Sequence, residues 1–90
     1  MMNEMTTSAS AQDVIRRAKE FFAERVPHYG AYLEHEGPRH VTFRGQGGEE
    51  IAIAAQEDSS GTVVRASSPL YTQAIGRFFS TLPAVSHDHE

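Results

Sequence analysis

Residues 40–55 read His40-Val41-Thr42-Phe43-Arg44-Gly45-Gln46-Gly47-Gly48-Glu49-Glu50-Ile51-Ala52-Ile53-Ala54-Ala55. His40 to Arg44 alternates polar and apolar residues strictly. That pattern suits a strand with one buried face, because successive side chains point to opposite sides of a sheet. Gly45 to Gly48 reads as a turn and Glu50 to Ala55 as a second strand, so the two form a hairpin. Holding Val41, Phe43, Ile51 and Ile53 on one face fixes the register: Phe43 with Ile51 and Val41 with Ile53. The opposite face then pairs Arg44 with Glu50, Thr42 with Ala52 and His40 with Ala54. A slip of one residue would turn every apolar side chain to the wrong side.

Outward from this hairpin, Gln56 to Gly61 is polar and reads as a loop. Thr62 to Ala66 follows as a third strand, expected to set Arg65 beside Ala52 and Val63 beside Ala54. Upstream, residues 27–38 are ambiguous. A helical stripe could run through Tyr29 and Leu33, but Pro27 and Gly30 favour a short strand over Ala31 to His35, closed by a turn at Glu36-Gly37-Pro38. Ser10-Ala11-Gln12-Asp13 has the form of a helix N-cap with an acid in the first turn. Val14, Ala18, Phe21, Phe22 and Val26 give that helix an apolar face, and Pro27 ends it at Val26. Ser68-Pro69 opens a second helix. Its stripe is Leu70, Tyr71, Ala74, Ile75, Phe78, Phe79 and Leu82, and Pro83 stops it. Its two Phe, Tyr71, Ile75 and Leu82 are more than one thin core accepts. Gly76 in mid-helix points to a close backbone neighbour, in helix 1 or in a second subunit.

The fold class is therefore α+β: a two-layer sandwich with an N-terminal helix, an antiparallel meander of three to four strands and a C-terminal helix, both helices on the face carrying Val41, Phe43, Ile51, Ile53 and Val64. Residues 1–9 read as a disordered lead, 10–83 as one domain and 84–90 as a disordered tail. Ninety residues bury only about 60% of the surface that the unfolded chain exposes, so the stability margin is thin and self-association is a common remedy.

Twelve acidic and eight basic residues give a formal charge of −4. Residues 10–83 hold nine acids and eight bases, a near-neutral body that argues against a nucleic-acid binder or a polybasic membrane surface. Cysteine is absent, which excludes disulfides, thiolate catalysis and cysteine-based zinc sites. It also favours a cytoplasmic location. The first ten residues lack a signal-peptide pattern, and no apolar run approaches the ~20 residues of a membrane span.

The outer sheet face carries the candidate functional residues: His40, Thr42, Arg44, Ala52, Ala54, Val63 and Arg65. It is either an ordinary solvated face or a shallow contact surface, in which small residues admit a partner and arginines offer forks for carboxylate or phosphate. Two alanines and Val63 on one face favour a dimer interface over a small anionic ligand. Gly45 to Gly48 is a poor phosphate cradle, because it joins two strands and is followed by Glu49 and Glu50. His28, His35 and His40 lack metal-ligand spacing, and His87 and His89 lie in the tail, so no metal or cofactor is expected. Ser59, Ser60, Ser67 and Ser68 sit where turns and caps call for serine. Nothing in the spacing around His40 requires catalysis.

The order of helix, antiparallel sheet and long C-terminal helix resembles the helix-grip proteins that hold hydrophobic ligands. The resemblance is in architecture alone, with too few strands to enclose a comparable cavity. The expectation is a non-catalytic module that self-associates as a homodimer and binds protein. The alternative is a small-ligand domain, for an anionic or hydrophobic compound, that uses the same outer face.

Overall fold

A computed structural model describes residues 2–22, 32–45, 48–68 and 72–85. The elements are β1 (Met2–Thr7), α1 (Ala11–Glu20), β2 (Tyr32–Glu36), β3 (His40–Arg44), β4 (Glu50–Asp58), β5 (Gly61–Ser67) and α2 (Thr72–Ser80). The strands form one antiparallel sheet in the order β1-β5-β4-β3-β2. Both helices pack on its inner face, α1 over β3 and β4 and α2 over β5. The α+β class stands, but with five strands rather than three to four.

The added strand is β1. Residues 2–7 of the N-terminal lead, expected to be disordered, pair with β5, from Met2 opposite Ser67 to Thr7 opposite Thr62. Polarity concealed it, because MNEMTT lies at an edge and turns Asn3, Met5 and Thr7 inward, of which Met5 alone is apolar. Thr7 and Thr62 are fully buried, and their hydroxyls fasten the chain around them. Thr7 Oγ1 donates to the Pro83 carbonyl and accepts from the Ala9 N–H at 3.2 Å, while Thr62 Oγ1 donates to the Ala9 carbonyl. Ala84 forms an isolated bridge to Thr7, so the expected C-terminal tail begins ordered. Residues 86–90 lie outside the described residues.

Helix α1 begins as its sequence requires. Ser10 Oγ accepts from the Asp13 N–H at 3.1 Å, and Glu57 of β4 accepts from the Ala11 N–H at 2.9 Å. Ala11, Val14, Ile15, Ala18 and Phe22 are buried, and Arg16 bridges to Glu20 at 3.0 Å. Its expected end at Val26 lies outside the described residues, as does the Pro69 start of α2. At the far end of α2, Thr81 Oγ1 donates to the Phe78 carbonyl at 2.7 Å and closes the last turn. Phe22, Phe43 and Phe78 fill the centre, with ring centroids 5.4–5.6 Å apart between Phe22 and each of the others. Gly76 is exposed and no described atom lies within 4 Å of a Cβ built there. The close packing expected of it is not found.

The β3–β4 register is the one the alternation requires, from His40 opposite Ala54 to Arg44 opposite Glu50. The β4–β5 register differs by two residues: Ala54 faces Arg65, Gln56 faces Val63 and Ala52 faces Ser67. The cause is the turn. The polar run 56–61 is strand at both ends and only Ser59-Ser60 turns. Asp58 accepts from both the N–H and Oγ of Ser60 at 2.8 Å, and Gly61 takes φ +136°. The ambiguous segment supplies β2, a strand as expected, with a bulge between Leu33 and His35.

Candidate outer-face interaction surface

Strand alternation sorts the outer face into rows. Glu4, Arg65, Ala54 and His40 lie side by side across β1, β5, β4 and β3; Met2, Ser67, Ala52 and Thr42 form the next row; Arg44 and Glu50 pair at one end, and Thr6, Val63 and Gln56 lie at the other. All seven sequence-predicted residues share this face. The shifted register moves Arg65 next to Ala54, in the row that His40 ends on the far side of Ala54, and moves Val63 from the middle to the end. The centre is made of small side chains, with Ala52, Thr42 and Ser67 half-buried and Ala54 exposed.

Two shallow depressions lie here. One of ≈ 150 Å³ is bounded by Met2, His40, Thr42, Ala52, Arg65 and Ser67 among others. A wider one of ≈ 310 Å³ lies between Arg39 and Arg65, with Ala54, Val63 and Gln56 in its lining. Beneath them Phe22, Phe43, Phe78, Ile51 and Ile75 fill the interior and are at most 1% exposed.

The arginines are largely committed within the chain. Arg44 donates to both oxygens of Glu34, at 2.8 Å from Nη2 and 3.1–3.2 Å from Nε, and to the Gly48 carbonyl at 2.8 Å. Glu50 stands off at 3.9 Å. The bulge in β2 accompanies the contact between Glu34 and this guanidinium. Hydrogen bonds from Arg44 hold the Glu34 carboxyl below its ordinary range, and Glu34 in turn raises Arg44. Arg65 Nε donates to Glu4 at 2.8 Å. Sequence reasoning missed both carboxylates, since Glu4 lay in the supposed lead and Glu34 in the ambiguous segment. Arg39, equally unforeseen, makes no side-chain hydrogen bond or ion pair with the described residues; its carbonyl accepts from the Ala55 N–H at 2.8 Å.

His40 is held by packing. A Cβ at Gly37 would fall 2.4 Å from its Cε1, so the ring sits on the glycine of the β2–β3 turn. Thr42 Oγ1 is enclosed and makes no hydrogen bond with the described residues. Among the described residues, no group of three or more His, Asp or Glu is placed to hold a metal, and no helix is long and apolar enough to cross a membrane. His28, His87 and His89 lie outside the described residues.

Comparison with family models, curated proteins and solved structures finds no match. The reading of function rests on the face itself.

Proposed function

We propose that this chain is a non-catalytic binding module that self-associates as a homodimer, and binds protein, through the outer face of its sheet. One observation carries this reading: both helices lie on the inner face, and among the described residues nothing covers a central outer surface of Ala52, Ala54, Thr42 and Ser67. Small side chains at the middle of a sheet let a second flat surface approach to the ~10 Å at which sheets stack. The alternative of a small anionic ligand draws less support, because the forks of Arg44 and Arg65 are engaged by Glu34 and Glu4. A hydrophobic ligand would need an enclosed volume, and the interior is filled by aromatic and aliphatic side chains. A cysteine-free chain suits a reducing cytoplasm, where we place the module.

The test is solution mass over a concentration series, by light scattering, for wild type and Ala52→Lys. Ala52 lies in the central row, and a lysine there can extend towards Glu50 in the isolated chain while obstructing an opposing sheet. Concentration-dependent mass in the wild type, lost in Ala52→Lys with the thermal melt retained, supports the proposal. A wild type that stays monomeric, or a dimer indifferent to the lysine, refutes it.

A further inference from the structure

The two ends of the outer face carry opposite surpluses of charge. At one end Glu34 and Glu50 surround a single guanidinium, Arg44, and Glu50 is held only at 3.9 Å with its side chain 49% exposed. Among the described side chains that make these contacts, one carboxylate is in excess. At the other end Arg39 and Arg65 flank the wider depression, with Glu4 as the one carboxylate bonded to them. Among the described residues that flank the depression one cation is in excess, and it is Arg39. Asp58 lies farther out at the hairpin tip, turned onto Ser60.

We infer that the partner seated on this face is a second copy of the chain, stacked sheet to sheet about a twofold axis that lies in the interface and runs across the strands. The inference rests on the self-association proposed above and adds its geometry. A twofold axis along the strands would bring each carboxylate-rich end against its own copy. An axis across them lays the Arg39 end of each copy over the Glu34–Arg44–Glu50 end of the other, and makes two balanced clusters of three guanidinium and three carboxylate groups. Like charges juxtaposed across an interface are costly and opposite charges fix register, so charge selects the second arrangement. An isologous interface repeats each contact twice, which doubles the preference.

Area sets the strength. Five strands ~4.8 Å apart and four rows of outward side chains cover roughly 500 Å² per copy, or about 1,000 Å² in all. That is the low end of specific interfaces and corresponds to a dimer that dissociates on dilution.

The decisive experiment is sedimentation equilibrium on full-length Arg39→Glu and Glu50→Arg, each alone and then mixed in equal amounts. Each variant alone brings like charges together at both symmetric contacts, and its dimer weakens by about tenfold or more. In the mixture both contacts of the heterodimer are again opposite in sign, so mass returns to the wild-type curve, and added salt reduces the recovery. Single variants that dimerise like wild type, while Ala52→Lys still splits the dimer, overturn this arrangement and leave the outer-face dimer standing. A mixture that fails to recover also overturns it. A monomeric wild type removes both claims.

Discussion

Replacing Thr7 or Thr62 by valine tests whether β1 is an integral part of the domain. The two threonines face each other across β1 and β5, 0% and 2% exposed, and meet at Ala9. Thr7→Val keeps the side-chain shape but leaves the Ala9 N–H without its acceptor, while the Pro83 carbonyl retains only the Ser8 N–H at 3.3 Å. Thr62→Val leaves the Ala9 carbonyl without its donor. A partly buried backbone group deprived of its partner costs about 1–2 kcal/mol, the lower part of the range for unsatisfied buried groups. A domain of this length has about 5–13 kcal/mol in total, so both variants stay folded. With a urea slope near ~1 kcal/mol per molar for a small domain, each midpoint falls by about 1–2 M in circular dichroism titrations. The double variant falls short of the sum, because the two bonds share Ala9. Thr6→Val, on the exposed side of β1, stays within ~0.5 kcal/mol of wild type. Midpoints for Thr7→Val and Thr62→Val within 0.3 M of wild type (a margin of roughly 0.3 kcal/mol at that slope) would refute the reasoning and detach β1 from the core.

Thr42→Val removes an enclosed hydroxyl that has no hydrogen bond with the described residues, so it is neutral or stabilising by up to ~1 kcal/mol in the same titration. Gly76→Ala fills open space in an exposed mid-helix position and raises stability by about 0.5–1 kcal/mol, a rise of several degrees in the thermal midpoint. Gly61→Ala does the reverse by well over ~1 kcal/mol, since φ is +136° and the new Cβ would lie 2.7 Å from the Thr7 carbonyl oxygen. Hydrogen bonds from Arg16 and Arg17 to Asp13, from Arg44 to Glu34, and from Ser60 to Asp58 hold these carboxyls below their ordinary values of 3.8 and 4.5. Depressed carboxylates stabilise the fold fully above their unfolded values and lose that contribution as they protonate in the native state. Urea midpoints are therefore flat from pH 7 to about 5 and fall below about 4.5, and the gap between wild type and Glu34→Gln closes as pH drops towards 3.

The inner face was legible because alternation over His40–Arg44 and Glu50–Ile53 admits one register only, and the structure keeps it. Helix α1 was legible from its cap, Ser10, and its buried spacing. What escaped shares a physical cause: edge strands and turns are fixed by partners far away in sequence. β1 carries almost no apolar signal and is held by β5 and by Pro83. The β4–β5 register depends on Asp58 and Ser60 closing a two-residue turn inside a run that reads as loop. That shift moved Val63 away from the centre of the face and set Arg65 beside Ala54, in the same row as His40. The seven face residues could be assigned to one side by parity alone. Their carboxylate partners could not, because Glu4 reaches Arg65 across 61 positions and Glu34 reaches Arg44 only through a bulge.

Amide and methyl NMR spectra recorded from micromolar to millimolar protein test the central claim most directly, because they show which surface meets the partner. The account predicts concentration-dependent shifts at Thr42, Ala52, Ala54 and Val63, with the buried residues of α1 and α2 unchanged. Shifts confined to α2 or to the β2 edge, or spectra that do not change with concentration, would contradict it.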